Sequence, residues 1–328
     1  MTNIKIKDIA IYHPENKIDN DFFFTHYDKR GKDIRRLLEH VGRKSRYLVD
    51  RTDNDETGIT MAVKASKKVL EQAKLSGEDI DMIIFSTQTP EQTIPMSSIY
   101  VHRGIKGKDR TLLYDLNATC AGMSIGIEQA VRNMISNSRI NRTLVVGSDY
   151  FSPILDPENE VTYPLFADAA VAVVLERTEE AGGFMDAIHY VDHSDPNNML
   201  FPAQGLTHLL ENREGRYMTT KPFDDAEMFP KVYDSIRELL NQYNLKPSDV
   251  KCCFSQSNKA NVKLIQENIG FCDEQIIFVA EQFGYTGTSS PFLAFHQGVK
   301  EGKIQRGDYV LFWTIGIGYE FITMLIQY

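Results

Sequence analysis

An internal repeat is the feature that most limits the possible folds of this chain. Residues 75–88 (LSGEDIDMIIFSTQ) resemble residues 245–258 (LKPSDVKCCFSQSN), and each reads as a helix end, a polar turn with Asp, and a short buried strand. A helical pattern precedes each segment, at 58–74 and at 225–243. Strand–helix units all look somewhat alike, but the matched order and spacing indicate a duplication.

A second correspondence supports the first. Residues 119–147 match residues 288–314: each stretch starts with a short segment, TCAG or TSSP, continues as a helix and ends as a strand. The two correspondences predict two similar halves, 1–177 and 178–328. The polar, glycine-containing stretch 176–183 is the best linker candidate between them.

The predicted strands are continuously apolar, as at 82–85, 144–147 and 171–175. Continuous apolar runs indicate strands that are covered on both faces. Because these strands alternate with helical patterns, we expect mixed sheets with helices packed against them. Residues 192–225 show poor periodicity, and we assign them no regular structure.

Composition excludes several classes of protein. The 328 residues carry a net charge of −9, which argues against a nucleic-acid or anionic-membrane binder. No apolar run is long enough for a membrane-spanning helix, and residues 1–7 lack the apolar core of a signal peptide. Four cysteines are too few for a disulfide framework. We therefore expect a cytoplasmic protein with reduced thiols.

Cys120 is the strongest candidate for a reactive residue. A predicted strand at 112–116 precedes it, and a helix rich in small residues follows it. This junction places the thiol near a helix N-terminus, where the dipole and unpaired N–H groups favour the thiolate. Such a thiol can act as a nucleophile in acyl transfer. A buried, inert cysteine is the alternative, and local context alone leaves both interpretations open.

The other candidates are weaker. Cys252, Cys253 and Cys272 look structural, and the chain has no metal-ligand spacing, Walker-type loop or dinucleotide fingerprint. Gly316 and Gly318 lie between two strong predicted strands. They mark either a tight bend or a close backbone approach, with an N–H group aimed at a ligand oxygen.

Three ordered landmarks then resemble a known family. DLNATCAG at 115–122 is similar to the nucleophile segment of the β-ketoacyl-acyl-carrier-protein synthase III group of the thiolase superfamily. FADAAVAVVL at 166–175 and the glycine-rich turn within 306–318 resemble two further motifs. The resemblance implies an α/β fold of the thiolase-like, five-layered αβαβα type, with two duplicated halves and mixed sheets. It also implies a homodimer, an acyl group carried on Cys120, and an oxyanion hole made by the N–H groups of Cys120 and Ile317.

Two departures from the family pattern fall on its catalytic positions. Asn258, in NKAN, stands where the family has the histidine of a His-Gln-Ala-Asn motif; Tyr285, in GYT, replaces the asparagine of Gly-Asn-Thr. In the family these side chains donate hydrogen bonds to the thioester carbonyl of a malonyl extender. Asn258 is no acid or base near neutral pH, and Tyr285 donates only through a distant hydroxyl. Loss of one oxyanion donor costs about 100–1000-fold in rate. Because both changes fall on donors to the extender carbonyl, malonyl decarboxylation is affected more than acylation of Cys120.

The resemblance also implies positions for substrate contact. Asn261 would touch the pantetheine arm, and Gly316 and Gly318 would flank the bound thioester. Ile94 stands where a family phenylalanine caps the acyl pocket of the partner subunit. Acyl-CoA or acyl-carrier-protein thioesters would be the substrates, and no metal or permanently bound cofactor is expected.

The carrier-binding surface differs from that of the family. Arg36 and His40 stand at the positions of a tryptophan and an arginine that line the coenzyme A entrance. Lys259 and Lys263, with Lys251, could form a basic rim that docks an acidic acyl carrier protein. A solvated lysine face is the alternative interpretation.

The functional hypothesis is therefore an acyltransferase or condensing enzyme similar to ketoacyl synthase III. It would form an acyl-S-Cys120 intermediate in fatty acid or polyketide biosynthesis, and more specifically in specialised metabolism. Two alternatives remain open. The chain could be a non-catalytic or half-active partner subunit of a heterodimeric synthase, or a thioester hydrolase on the same scaffold.

Overall fold

Two sheets with their helices make up the protein, a computed structural model that describes residues 3–50, 52, 55–212, 215–221 and 227–328. The strands before residue 180 are β1 (Asn3–Tyr12), β2 (Lys17–Asp19), β3 (Ser45–Tyr47), β4 (Met82–Ser86), β5 (Leu112–Leu116), β6 (Arg142–Asp149) and β7 (Ala169–Thr178). The helices there are α1 (Asn20–Asp28), α2 (Arg35–Val41), α3 (Gly58–Ala73), α4 (Ser98–Ile105) and α5 (Gly122–Ser136).

The rest of the chain repeats this alternation. Its strands are β8 (Gly183–Val191), β9 (Met199–Leu200), β10 (Thr219–Thr220), β11 (Val250–Phe254), β12 (Tyr309–Ile315) and β13 (Glu320–Gln327). Its helices are α6 (Leu206–Asn212), α7 (Met228–Gln242), α8 (Lys259–Ile269), α9 (Ala280–Phe283) and α10 (Ser290–Lys300).

The duplication is visible in the strand order. The first sheet runs β1-β7-β6-β4-β5 and the second runs β8-β13-β12-β11. In each sheet the first three strands pair antiparallel and the next pair is parallel. Where β5 pairs parallel with β4, a parallel bridge from Cys252 to Ile276 extends the second sheet in the same direction. The predicted mixed sheets and matching halves are therefore confirmed.

Helices and sheets stack in five layers. Helices α5 and α10 lie between the two sheets, in a core cluster that takes residues from both, including Met123, Phe292, Val145 and Phe312. Helices α3 and α4 cover the outer face of the first sheet, and α7 and α8 cover the outer face of the second. Strand β4 is buried along its whole length, as its continuous apolar sequence predicts. The predicted αβαβα architecture is confirmed.

Some local predictions need correction. The stretch 192–225 contains β9, α6 and β10, so the assignment of no regular structure is wrong there. Strand β7 continues to Thr178, so the linker shortens to residues 179–182 and the division at 177/178 stays a proposal. Residues 213, 214 and 222–225 of the first stretch lie outside the described residues, as do residues 1 and 2 of the N-terminal segment and residue 226 of the predicted helix 225–243.

The cysteines and the helices bear on two more expectations. All four cysteines are free thiols. Within the described parts of the chain, no helix combines the length and the apolar character needed to cross a membrane.

The turns that lead into the two central helices are equivalent. A 3-10 turn, Thr119–Ala121, leads into α5, and a 3-10 turn, Gly287–Ser289, leads into α10. The first residue of each turn has a positive φ, +44° at Thr119 and +59° at Gly287. This geometry aligns Cys120 with Thr288, one residue earlier than the sequence match, which pairs Cys120 with Ser289.

Candidate active site

Cys120 lies at the junction that its sequence context predicts. Strand β5 ends at Leu116, and the turn Thr119–Ala121 carries the cysteine into the first residue of α5. The Thr314 hydroxyl donates to the carbonyl oxygen of Cys120 at 3.2 Å, which fixes the turn against β12. The residue is only 4% exposed, so its thiol faces the protein interior.

Two side chains hold the sulfur of Cys120. The amide nitrogen of Gln88 lies 3.5 Å from Sγ and donates to it. The hydroxyl of Tyr285 lies close enough to the sulfur to lower the pKa of Cys120, and Ser255 lies close to that hydroxyl. The sulfur therefore has polar neighbours from both halves of the protein.

A buried carboxylate positions Gln88. Asp149, at the end of β6, accepts hydrogen bonds from the backbone N–H and the side-chain amide of Gln88, both at 2.9 Å. It also accepts from the Thr87 hydroxyl at 3.1 Å and from the backbone N–H of Thr288 at 2.9 Å. A Cβ at Gly287 would clash with Asp149, so this site needs glycine for its space as well as for its positive φ.

Sequence reasoning missed Gln88 and Asp149, although a signal for them exists. Strands β4, β5 and β6 are parallel, and Gln88, Cys120 and Asp149 lie at or just beyond their carboxyl ends. In parallel sheets the carboxyl ends of strands meet at one edge, which is where ligands usually bind. Polar residues at the ends of neighbouring strands were therefore candidates for the site.

The expected thiolate is not supported by the surroundings of the sulfur. Burial raises the pKa of Cys120 to about 11. Hydrogen bonds from Tyr285 and Gln88 lower this pKa, whereas the nearby charges of Asp149 and Glu320 raise it. Loss of water around the sulfur outweighs the donors, so the resting group at neutral pH is the thiol.

The glycine turn between β12 and β13 packs directly against the Cys120 turn. A Cβ at Gly316 would clash with the Thr119 hydroxyl and the Glu320 carboxylate, so this close approach requires glycine. Within the described residues, neither the backbone N–H of Cys120 nor that of Ile317 has a hydrogen-bond acceptor. Gly318, with φ +93°, completes the turn.

Asn258 and Tyr285 differ in their relation to the sulfur. Asn258 caps α8: its side-chain oxygen accepts from the backbone N–H of Ala260 at 2.9 Å. The backbone of Tyr285 is paired on both sides, donating to Leu165 O at 3.1 Å and accepting from Ala167 N–H at 2.9 Å. The length of the Tyr285 side chain brings its hydroxyl near the sulfur of Cys120, where it lowers the pKa of the thiol.

Apolar side chains pack around Cys120. This cluster contains Phe151, Ile154, Leu155, Phe166, Met218 and Tyr285, with Tyr163, Leu165 and Met199 at its border. Met199 and Met218 come from the stretch that had no predicted structure. An apolar lining of this kind suits an acyl chain.

The predicted carrier-contact residues lie on α2 and α8. Arg36 and His40 are exposed on α2, which packs against α8. Asn261 is half-buried in the first turn of α8, and Lys259 on the same turn pairs with Glu281 at 2.6 Å.

Three predicted contact residues remain: Lys263, Lys251 and Ile94. Lys263 is exposed on the next turn of α8, with Glu267 3.7 Å away. Lys251 lines a surface depression together with Glu274 and Asp308. Ile94 is 87% exposed. No group of three described His, Cys, Asp or Glu side chains could hold a metal ion.

Comparison with known proteins relates this geometry to a family. The family described as 3-Oxoacyl-[acyl-carrier-protein (ACP)] synthase III matches residues 114–193, and its C-terminal domain matches residues 240–328. A β-ketoacyl-[acyl-carrier-protein] synthase III of Wolbachia pipientis wMel is 30% identical over 287 residues, covering 86% of this chain and 88% of that protein. The chain belongs to the 3-oxoacyl-[acyl-carrier-protein] synthase III family.

Relatives cover the full length of this family member. The β-ketoacyl-[acyl-carrier-protein] synthase III of Aquifex aeolicus is 28% identical over 328 residues, 99% of each chain. A crystal structure of 3-oxoacyl-[acyl-carrier-protein] synthase III from Aquifex aeolicus superimposes with a TM-score of 0.86 at 26% identity, covering 99% of this chain and 100% of that one. The thiolase-like fold expected from the sequence is therefore confirmed.

Proposed function

We propose that this synthase III family member takes an acyl group from coenzyme A or an acyl carrier protein onto the sulfur of Cys120 and passes it to an acceptor in specialised metabolism. The single observation that carries the proposal is the placement of this sulfur. It lies at the start of a central helix, in a turn that packs against the Gly316–Gly318 turn. The backbone N–H groups of Cys120 and Ile317, one in each turn, have no acceptor in the described structure.

Acylation follows from this placement. The sulfur attacks the thioester carbonyl, and the N–H groups of Cys120 and Ile317 bind the oxyanion that develops. The carbon–sulfur bond of the donor then breaks, and the proton of the Cys120 thiol ends on the departing carrier thiol. Acylation therefore needs no net proton acceptor, which fits a nucleophile that rests as the thiol.

The acyl chain has an apolar place to enter. The cluster around Cys120, which includes Phe151, Leu155 and Phe166, would hold the chain against the sulfur. Tyr285 belongs to this cluster and its hydroxyl lies near the sulfur, so the acyl group and the hydroxyl must share the volume around Cys120. Gln88, fixed by Asp149, can donate to the acylated sulfur or to the bound carbonyl.

Decarboxylative condensation is less well supported than acylation. Asn258 uses its side-chain oxygen to cap α8, so its NH2 group is the part left to donate. The Tyr285 hydroxyl is buried beside Cys120 and Ser255. A malonyl carbonyl would therefore meet one amide donor in place of the histidine and the asparagine of the family pattern. We therefore propose that acylation of Cys120 is efficient and that malonyl decarboxylation is slow.

The partners proposed are carrier thioesters and a second copy of the chain. Lys259, Lys263 and Arg36 present positive charge near α8 and α2, where an acidic carrier could dock. Strand β5 is an edge strand that pairs only with β4 among the described strands, and exposed apolar residues accompany it: Ile94, Met96, Ile99 and Leu112. An edge of this kind suits pairing with another copy. In such a dimer Ile94 would reach the acyl pocket of the partner.

Intact-mass measurement tests the acylation step. The protein is incubated with acetyl, butyryl and octanoyl coenzyme A, and we expect a mass increase equal to one acyl group. Cys120→Ala should remove the adduct, whereas Cys272→Ser should keep it. An adduct that persists in Cys120→Ala would overturn the assignment, and rapid release of the free acid would instead identify a thioester hydrolase.

One observation favours a second candidate, a half-active partner subunit. Cys120 is buried, and its pKa is raised to about 11 by that burial, as in a structural cysteine. Such a subunit would copurify with a complete synthase and show no turnover alone. An acyl adduct on the isolated chain would decide against it.

A further inference from the structure

Glu320 is an acidic side chain beside the proposed reaction centre that the acylation step does not use. It is the first residue of β13, directly after the glycine turn. Its carboxylate accepts a hydrogen bond from the Thr119 hydroxyl at 3.0 Å and lies against the Cα of Gly316. It therefore touches both turns that present the proposed oxyanion-binding N–H groups, those of Cys120 and Ile317.

The carboxylate has surroundings that suit proton transfer. It is half-buried, and burial raises its pKa. Among the described residues, no cation contributes to the shift of its pKa. A carboxylate without a cationic partner and with a raised pKa is a stronger base than an exposed one. Its charge also acts on Cys120, because it is among the causes that raise the pKa of the thiol.

Different acceptors make different demands on this site. A carbon nucleophile would require donors that stabilise an enolate, and the family's two donor positions hold a helix-capping asparagine, Asn258, and a buried tyrosine, Tyr285. A hydroxyl acceptor requires only a base for its proton and an oxyanion hole for the intermediate. The described site offers both within the Cys120 and Gly316–Gly318 turns.

We propose that Glu320 is a general base that lets this protein transfer the acyl group of Cys120 to a hydroxyl group, so that the product is an ester. This inference rests on the proposed acyl-Cys120 intermediate and adds the class of acceptor. The acceptor is an alcohol small enough to reach the Gly316 turn.

The step balances without another reactant. The acceptor oxygen attacks the acyl carbonyl while its proton moves to Glu320, and the N–H groups of Cys120 and Ile317 hold the tetrahedral oxyanion. The carbon–sulfur bond then breaks. The proton on Glu320 passes to the departing sulfur, which restores the thiol of Cys120 and the carboxylate. Since the thiol is a weak acid here, protonation of the leaving sulfur is a substantial part of the step.

The test separates acylation from discharge. Wild type and Glu320→Gln are acylated with octanoyl-N-acetylcysteamine and then mixed with benzyl alcohol, benzylamine or malonyl-N-acetylcysteamine. Glutamine still accepts the hydrogen bond from Thr119 but cannot take a proton. We expect undiminished acyl adduct in Glu320→Gln, benzyl octanoate only with wild type, and at least about a 100-fold loss of ester formation in the variant.

Control variants distinguish proton transfer by Glu320 from a purely structural role of its hydrogen bond. Thr119→Val removes the hydrogen bond and keeps the carboxylate, so it should retain most ester formation, and Glu320→Asp should recover part of it. Glu267→Gln, an exposed carboxylate on α8, should behave as wild type.

Each result of this test decides something. Equal ester formation by wild type and Glu320→Gln would overturn the assignment of the base. An acyl adduct that benzyl alcohol leaves intact, but that benzylamine or the malonyl thioester consumes, would overturn the hydroxyl acceptor. Absence of any adduct on wild type would overturn the proposed acylation and, with it, this inference.

Discussion

The two 3-10 turns that lead into α5 and α10 have the same backbone shape, but their polar groups are used differently. Cys120 in the first turn and Thr288 in the second occupy matching positions. Thr288 is fully buried and fully engaged: its hydroxyl accepts from Met123 N–H at 2.7 Å and bonds to Ser86 at 2.8 Å, and its own N–H donates to Asp149. The backbone N–H of Cys120, by contrast, has no acceptor among the described residues.

In this duplicated fold, one turn supports the structure and the equivalent turn remains available for a substrate. The second turn uses its polar groups to hold the first one in place, since Thr288 binds the backbone at the start of α5 and the carboxylate that orients Gln88. The first turn can then leave its N–H group and sulfur available for a substrate. A preorganised site of this kind depends on such a rigid support.

Removal of the sulfur should separate the two turns most clearly. Cys120→Ser should abolish the acyl adduct in intact-mass spectra, because a serine hydroxyl in this buried site is a far weaker nucleophile than a thiol. Thr288→Ser is the matched control, and its adduct should form as in wild type. A comparable loss in both variants would mean that the turns share one structural role.

Restoring the family residues should give the next largest effect. Asn258→His with Tyr285→Asn should raise the decarboxylation of a malonyl thioester by at least about 100-fold, since a single donor to the enolate is worth about that much. The measurement is CO₂ release from malonyl coenzyme A, and Asn258→His alone should give less because Tyr285 remains over the sulfur. No gain in the double variant would show that the site was rebuilt for other chemistry.

The architecture was accessible from the sequence because the duplication fixes strand order. Residues 75–88 and 245–258 differ by a constant offset, and the structure gives them equivalent turns and strands, with Gly77–Asp79 matching Pro247–Asp249. Cys120 was accessible as well, because the end of a strand, the turn and the small-residue helix are contiguous in the chain. Local order along the sequence predicted both.

The rest of the site depends on contacts between distant segments. Gln88, Asp149 and Glu320 come from three different strand ends, and no local pattern shows that they converge on Cys120. The state of the thiol was wrong for the same reason. A helix N-terminus is visible in the sequence, but the depth of burial that outweighs it is a property of the assembled halves.

The pH dependence of alkylation should distinguish the buried thiol of Cys120 from a solvent-exposed thiol. With its pKa raised to about 11 by burial, Cys120 gains thiolate tenfold per pH unit up to that value. Its iodoacetamide rate should therefore rise about 100-fold between pH 7 and pH 9, measured by peptide mass mapping in a Cys272→Ser background. A short unstructured peptide with one internal cysteine, whose ordinary thiol pKa is about 8.5, should level off above pH 9. An alkylation rate of Cys120 that reaches a plateau below pH 9 would contradict a thiol pKa raised by burial.

The smallest expected effect tests the supporting turn. Thr288→Val keeps the shape of the side chain but removes the acceptor for Met123 N–H and the partner of Ser86, which leaves buried polar groups unpaired. We expect a loss of about 1–3 kcal/mol in the free energy of unfolding, measured by denaturant titration. Thr288→Ser keeps the hydroxyl and should lose less, through the missing methyl group alone. If Thr288→Val were as stable as wild type while its acylation rate fell, the second turn would act on the geometry of Cys120 and not on the stability of the fold.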